Sequence, residues 1–270
     1  MGYTFQHMRI VFWFFFILPL FGAYVGNPAS PGLMTTGFFS GHSPVFKFTS
    51  GYLADYTSNM RFERVNENSN AEPFHDFGIH SQMATFAAIF VERLELFANL
   101  GGSKEHAKWG EKQPTMADFT TILTDFQSTY HFSWSSGCKV IFLQWWQTYL
   151  SADFTYFSVP SSHQSFFKFL NRLNLPMETE KQTFSINEWQ TSLGLSSRIF
   201  WFTPYGGITY LSAKLNIHSG TEVPPMYYRN KDKIGYFYGL TLSLTGRFHL
   251  NFERRVRDEF SYSLGATAVF

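Results

Sequence analysis

Polar and charged side chains occur at every second position in many segments of this chain, with apolar side chains between them. Glu188 and Gln190, for example, flank Trp189. Carboxylate, amine, imidazole and amide groups can hydrogen-bond water, attract ions or transfer protons. The side chains that this alternation places on one face of their segments are Lys47, Arg61, Glu63, His80, Gln82, His131, Glu188, Gln190, Lys214, Asn216 and Glu253.

These side chains do not match a catalytic or metal-binding pattern. Cys138 is the single cysteine, which excludes an intrachain disulfide, and no cysteine or histidine pair has the spacing of a zinc site. An outer-membrane protease would need acidic and histidine residues that meet at the outer rim, and His75, Asp76 and His80 are candidates, although such a cluster is more often loop polarity. A barrel phospholipase would need a serine paired with a histidine, and His131 has no clear partner in the sequence. We therefore expect no enzyme activity, no cofactor and no metal.

The composition favours a β-barrel in a membrane. The chain has 270 residues, of which 20% are aromatic and 15% charged, and its mean hydropathy is −0.14. This combination is typical of barrels whose lipid-facing apolar residues alternate with polar interior ones; on composition alone, an aromatic-rich soluble β-sandwich is the alternative. The 21 basic and 20 acidic residues argue against nucleic-acid binding, which needs a clustered basic excess.

Alternation with a period of two runs through most of the chain and predicts strands separated by turns. The clearest runs are Ile186 to Ile199 and Ile234 to Thr245. We predict an all-β, transmembrane, antiparallel up-and-down β-barrel of about 12 strands, within a range of roughly 10 to 16. This count includes an opening strand near Gly32 to Phe39 and a strand at Met60 to Glu63.

The predicted connections separate by length, since strand direction assigns each one to an end of the barrel. Long polar segments, including 103–124, 159–185 and 218–232, fall at one end. The short links at the other end are Tyr56–Ser58, Glu92–Arg93, Ser136–Gly137, Phe200–Trp201 and Thr245–Arg247. Short periplasmic turns and long outer loops are typical of bacterial outer-membrane barrels. We therefore expect residues 23–270 to form one such barrel in the outer membrane.

The first 22 residues have the pattern of a secretory signal peptide. His7 and Arg9 precede an apolar run from Ile10 to Phe21, and the small residues Gly22 and Ala23 follow. The run is too short to cross ~30 Å of hydrocarbon as a helix. Because the residues before the exit do not form a good A-x-A triplet, an uncleaved anchor is the alternative.

The C-terminal segment FSYSLGATAVF alternates up to the last residue. We interpret it as a closing strand whose apolar face contacts lipid and which pairs with the first strand, so that no edge is exposed. This apolar face also looks like the C-terminal signal by which barrel-assembly machinery recognises outer-membrane proteins. Its residues are Tyr262, Leu264, Ala266, Ala268 and Phe270. Aromatic residues predicted to anchor the barrel at the membrane interfaces are Trp134, Trp145, Trp189, Trp201, Tyr205 and Tyr236.

Several segments of the sequence resemble the chlamydial major outer membrane protein family. The similar segments are VGNPASPGLM (25–34), FAAIFVERLELFANLGG (86–102), EWQTSLGLSSRIFWFTPYGGITYLSAKL (188–215) and ERRVRDEF before the final strand. The resemblance implies an outer-membrane porin. Family members are longer, have about sixteen strands and are rich in cysteine; this chain keeps only Cys138, so the envelope cross-linking of the family is not expected here.

The resemblance implies a channel for passive diffusion of small solutes or ions. The alternative is a structural or adhesive outer-membrane barrel whose surface loops bind a partner, and a barrel hydrolase is the weakest option. The polar face described above either lines a solute path or fills the barrel through mutual pairing. Expected partners are outer-membrane lipid, barrel-assembly machinery and small solutes or ions, but no nucleic acid; formation of a homo-oligomer stays open.

Overall fold

A computed structural model describes residues 26–34, 36–38, 45–65, 71–114, 119–165, 167–170, 176–177, 181–219, 226–243, 245–256 and 260–270. The predicted signal peptide, residues 1–22, lies outside these ranges. Helix α1 covers Ser30–Leu33. The strands are β1 (Phe46–Ser58), β2 (Phe62–Arg64), β3 (Ala71–Phe90), β4 (Leu94–Pro114), β5 (Phe119–Gln127), β6 (His131–Trp145), β7 (Thr148–Ser165), β8 (Phe167–Leu170), β9 (Pro176–Met177), β10 (Lys181–Ser197), β11 (Phe202–Ser219), β12 (Met226–Asn230), β13 (Ile234–Ser243), β14 (Phe248–Val256) and β15 (Phe260–Val269). None of the helical residues in these ranges forms a segment long and apolar enough to span a membrane.

Ten of these strands form a closed antiparallel ring. Their order is β3-β1-β15-β14-β13-β11-β10-β7-β6-β4, and pairing of β3 with β4 closes it. Closure gives every ring strand two neighbours and removes the free edges that a sheet cannot expose in lipid. The prediction of an all-β antiparallel barrel is confirmed, with a strand number at the lower limit of the predicted range.

The C-terminal strand β15 pairs with the first ring strand, as expected from its sequence. β15 pairs with β14 on one side and with β1 on the other, where Tyr262 lies opposite Tyr56 and Val269 opposite Thr49. Leu264 faces outward and is 45% exposed. The role of this face as an assembly signal stays a prediction.

Short turns join ring strands at the end of the barrel where the chain terminates, which we call the turn end. Their described residues are 91–93, 146–147, 198–201 and 245–247. Two predicted turns were wrong: Tyr56–Ser58 is the last part of β1, and Ser136–Gly137 lies within β6. Gly137 sits against the neighbouring strands, since a Cβ there would come within 2.1 Å of the Phe154 carbonyl oxygen. A glycine in a sequence can therefore mark close backbone approach instead of a turn.

The opposite end, which we call the extension end, continues beyond the ten-strand ring. There β5 pairs with the far part of β4, β12 pairs with β11, and β2 pairs with β12. Much of the sequence predicted as long loops at 103–124, 159–185 and 218–232 is thus strand in the described ranges. The predicted strand at Met60 to Glu63 contributes to β2, which lies outside the ring. The predicted opening strand near Gly32 to Phe39 was wrong: Gly32 and Leu33 belong to α1, and the described residues 34 and 36–38 are not strand.

The interior changes character between the two ends, and β10 shows where. Its inward side chains are buried throughout: Glu188 and Gln190 toward the turn end, Ile186 and Phe184 toward the extension end. On its outward face Leu193 is 44% exposed. We call the turn-end part, with polar interior and apolar exterior, the lower tier. The extension-end part, with the opposite arrangement, is the upper tier.

β11 reverses at the same level. Thr209 and Leu211 both face inward and are buried, and Leu215 continues that face with 0% exposure. On the outside, Ile208 is half exposed whereas Lys214, further along, is exposed and charged. Along this one strand the apolar side chains therefore change faces: they point outward, toward lipid, in the lower tier and inward, toward the protein core, in the upper tier.

The upper tier is packed like a water-soluble barrel. Rings of Phe62 and Phe77 lie 5.0 Å apart, and those of Phe74 and Tyr228 lie 4.6 Å apart, in edge-to-face arrangements. The buried cluster consists of Met60, Phe62, Phe74, Phe77, Ile79, Ala107, Phe126, Val159, Phe184, Ile186, Leu211, Ala213, Leu215, Ile217 and Tyr228. Met60, β2, β5 and β12 supply the part of this core that comes from outside the ring.

Candidate functional site

Four predicted interior residues occupy the inside of the lower tier. Lys47, Glu188, Gln190 and Glu253 all point inward and are at most 3% exposed. His131 shares the inward face of β6 with the buried Ser133. Whether these groups contact a passing solute stays a prediction.

The other predicted interior residues were placed on the wrong side. His80 and Gln82 lie on the outer face of β3, and Lys214 and Asn216 lie on the outer face of β11. The cause is the reversal between tiers: near these positions the apolar neighbours, such as Ile79, fill the core, so the polar residues face water.

Arg61 and Glu63 also lie away from the lower-tier interior. Arg61 is exposed between β1 and β2, and the Glu63 carboxylate pairs with Arg229 at 2.7 Å between β2 and β12. This ion pair is solvent-exposed, so it contributes little to stability.

The centre of the lower-tier interior is organised around Arg255, which the sequence analysis missed. Its Nη2 lies 3.5 Å from Asp55 Oδ1, its Nε lies 3.5 Å from Glu253 Oε1, and its Nη1 donates to Gln190 Oε1 at 3.0 Å. Ser263 also donates to Asp55 at 2.7 Å. These contacts join β1, β10, β14 and β15 across the lumen. Alternation around Phe252, which places Asn251, Glu253 and Arg255 on one face, could have identified Arg255.

A second polar group lies closer to the turn end. Lys139 Nζ is 3.7 Å from Glu95 Oε1, and the Ser30 hydroxyl donates to Glu95 Oε2 at 2.6 Å. Lys47 pairs with Glu92 at 2.5 Å and donates to the Met34 carbonyl at 2.6 Å. Both lysines therefore contact, directly or through one carboxylate, the segment that contains α1.

Residues 26–34, which we call the plug segment, fill the turn end of the lumen. Asn27 is fully buried; its amide donates to Thr241 at 2.9 Å, and its side-chain oxygen accepts from Ser196 at 2.7 Å. A Cβ at Gly32 would lie 2.9 Å from the Ile141 side chain, which shows how tightly the segment fits. Side chains alone nearly fill an eight-strand barrel, and the extra width of ten strands holds this segment.

The interior of the lower tier carries an excess of acidic groups. Among the described residues, its buried carboxyl groups are those of Asp55, Glu95, Asp153, Glu188 and Glu253, and its buried cations are Lys47, Lys139 and Arg255. In a low-dielectric wall such an imbalance produces a negative potential that attracts cations.

The remaining space inside the barrel is small. One cavity, lined by residues that include Asp55, Asn99 and Glu188, has room for roughly three water molecules. Another, beside Ser30 and Lys139, has room for roughly two. Both cavities are therefore of the size of a few water molecules.

His80 and His131, the two histidines considered for hydrolysis, are separated by the barrel wall. His80 lies on the outer face of the wall, where its Nδ1 is 2.9 Å from the Tyr130 hydroxyl, whereas His131 lies on the inward face of β6. The two imidazoles are therefore on opposite sides of the wall. Within the described ranges, no group of three or more histidine, cysteine, aspartate or glutamate side chains is placed to hold a metal ion.

The outer surface of the lower tier is an apolar belt bounded by aromatic residues. Side chains that expose more than a third of their surface around the ring include Phe48, Phe86, Leu96, Leu100, Phe132, Phe154, Leu193, Leu195, Ile208, Phe252 and Leu264. At the tier boundary the rings of Trp134 and Tyr156 lie 5.4 Å apart and those of Trp189 and Tyr210 lie 5.3 Å apart.

The turn end has its own aromatic row, with Trp146 89% exposed and Trp145 and Trp201 also exposed. Tyr236 is exposed as predicted, but Tyr205 faces inward and donates to Glu253 at 3.2 Å, so its predicted anchoring role was wrong. An apolar belt between two aromatic rows on a closed sheet is the surface of a barrel embedded in lipid. The chain is an outer-membrane β-barrel.

No family model and no curated protein matches the sequence. Among solved structures, the chain is similar to the toluene transporter TbuX of Ralstonia pickettii (TM-score 0.41, 11% identity, 90% of this chain and 91% of the other). It is also similar to the outer membrane protease OmpT of Escherichia coli (0.40, 10%, 83% and 96%) and to the translocator domain of the autotransporter NalP of Neisseria meningitidis (0.37, 12%, 89% and 91%). These similarities are weak, and the assignment as an outer-membrane barrel rests on the closed sheet, the apolar belt and the polar lumen of this chain itself.

Proposed function

We propose that the protein is a gated outer-membrane channel for small solutes or ions, in which the plug segment is the gate. The observation that carries this proposal is the way residues 26–34 are held. They fill a polar lumen through side-chain hydrogen bonds such as Asn27 to Thr241, and they are not paired as a strand of the wall. The ring of ten strands is complete without them.

Displacement of the plug segment would expose the polar groups of the lower tier to water. Glu95 would lose the hydrogen bond from Ser30, and its ion pair with Lys139 would remain on the wall. Excess carboxylate in the lumen would then favour cations over anions.

The upper tier forms a second closure in series with the plug segment. Its apolar core includes Met60 and Phe62 beside β3 and Tyr228 beside β11, all contributed by segments outside the ring. A conducting state requires these cover residues to move, since an apolar constriction excludes water and ions. The resemblance of residues 25–34 and 188–215 to the chlamydial porin family supports the channel assignment.

The test is conductance of the purified protein in planar bilayers with the plug segment either locked or free. In a Cys138→Ser background, the pair Asn27→Cys and Thr241→Cys replaces a 2.9 Å hydrogen bond and should form a disulfide between plug and wall. We expect stepwise conductance under reducing conditions and its loss after oxidation. Deletion of residues 26–34 should increase the open fraction.

The matched control is the pair Ser81→Cys and Ser103→Cys, whose native hydroxyls are 2.6 Å apart on the paired strands β3 and β4. This bridge lies within the wall, so oxidation should leave conductance unchanged. Absence of conductance in the reduced protein and in the deletion variant would contradict the channel.

A structural or adhesive barrel is the second candidate, and the upper tier is the observation that favours it. A projecting tier with its own apolar core is a rigid platform of the kind that presents loops to a partner. A plug-deleted protein that folds, yet never conducts, would favour this function.

A further inference from the structure

Six side chains form a straight row across the outer surface at the boundary between the tiers. In order around the wall they are Lys104, His80, Tyr56, Tyr262, Arg254 and Tyr238, each one the direct cross-strand partner of the next. We call them the boundary row. Their strands are β4, β3, β1, β15, β14 and β13, so the row crosses the seam where the ring closes.

The cations of this row are held against aromatic faces. The Arg254 guanidinium carbon lies 5.8 Å from the ring centre of Tyr262 and 5.9 Å from that of Tyr238. Lys104 Nζ lies 5.5 Å from the ring centre of Tyr130, a neighbour of the row. These distances are in the range of cation–π contacts. The aromatic rings orient both cations along the wall.

Hydrogen-bonding and ring contacts continue between these cations. The Tyr130 hydroxyl lies 2.9 Å from His80 Nδ1, and the rings of His80 and Tyr56 are 5.4 Å apart. The row contains hydroxyl, imidazole, ammonium and guanidinium groups and no acidic side chain. Its chemistry is suited to an anion with several acceptor oxygens.

The boundary row lies directly beside the lipid-facing belt. Phe252 on β14 and Leu264 on β15 lie on the same outward faces as Arg254 and Tyr262, two positions closer to the turn end, and both are more than 40% exposed. On β4, the exposed Leu100 lies on the turn-end side of Lys104. Groups at the edge of such a belt meet the headgroup layer. We propose that the boundary row binds the phosphate groups of a phosphorylated lipid headgroup. This site is independent of the proposed channel.

Lipid binding can be measured by native mass spectrometry of the refolded protein. The probes are lipid A carrying both phosphates and lipid A from which the phosphates have been removed. The wild type should retain the phosphorylated form preferentially. Each of Lys104→Gln and Arg254→Gln should lower that preference about 5-fold, and the double variant about 25-fold if the two free-energy effects add.

The matched control is Lys214→Gln, which removes an exposed cation from the outer face of β11 outside the row. It should leave the preference unchanged. Altered gel mobility before heating would identify a variant that fails to fold. Equal retention of the two lipid forms by the wild type, or an unchanged preference in a folded double variant, would overturn the proposal. Displacement of the lipid by millimolar inorganic phosphate would show a free-anion site and overturn the assignment to a lipid headgroup.

Discussion

The rings of Trp189 and Tyr210 lie 5.3 Å apart on the outer faces of β10 and β11, at the level where the interior of the barrel changes from polar to apolar. Toward the turn end, Glu188 and Gln190 face inward; toward the extension end, Ile186 and Leu215 do so. The aromatic pair therefore marks the membrane interface. The same level separates a lipid-embedded tier from one that is packed as in water.

Truncation of a side chain in an upper-tier strand should lower stability only when the side chain points inward, into the upper-tier core. Leu215→Ala removes a fully buried side chain and should lower the free energy of unfolding by about 2–5 kcal/mol. Lys214→Ala, on the outward face of the same strand, should change it by less than about 0.5 kcal/mol. Denaturant unfolding followed by tryptophan fluorescence measures both values. Equal effects would contradict the reversed tier.

Arg255 should be required for folding stability because it compensates buried carboxylates. Arg255→Met leaves Asp55 and Glu253 without their shared cation, which should cost about 3–5 kcal/mol. Protonation of the carboxylates relieves the uncompensated charge, so the stability difference from wild type should shrink as the pH falls. Thermal unfolding across a pH series measures this trend. A difference that grows toward low pH would contradict the ion-pair role.

Cation preference should depend on the interior carboxylates if the channel conducts. In the plug-deleted protein, Glu188→Gln and Glu253→Gln each remove an inward charge and should move the permeability ratio of K⁺ to Cl⁻ toward one. Reversal potentials under a salt gradient measure the ratio. The control Lys214→Gln removes an outward charge and should leave the potential unaltered. A ratio that is insensitive to both glutamates would exclude a path along them.

Cys138 should be protected by lipid or detergent in the folded barrel. It lies on the outward side of β6 opposite Leu96, within the apolar belt. A charged maleimide should modify it slowly in the folded protein and fast after denaturation. In a Cys138→Ser background, Lys104→Cys places a thiol at the boundary row and should react fast without denaturation. Mass spectrometry of the adduct measures both rates, and fast modification of folded Cys138 would contradict its position.

The alternation in the sequence determined the local structure of this protein. Period-2 runs around Glu188 and Glu253 predicted strands whose polar faces do point into the lower tier, and the last residues predicted a closing strand that pairs with β1. Backbone geometry links adjacent side chains to opposite faces, so a strand and its two faces are properties of a short segment.

Tertiary structure decided which medium each face contacts. Leu215 and Leu193 are both apolar residues on alternating strands, yet Leu215 packs in the upper-tier core while Leu193 faces lipid. That difference depends on height along the barrel, which alternation does not encode. For this reason the sequence analysis placed Lys214 and Asn216 on the inward face, whereas they lie on the outward face. The number of ring strands and the plug segment around Asn27 likewise arise only when the ring closes. Closure sets the width of the lumen, and the width determines that a segment of chain is needed to fill it.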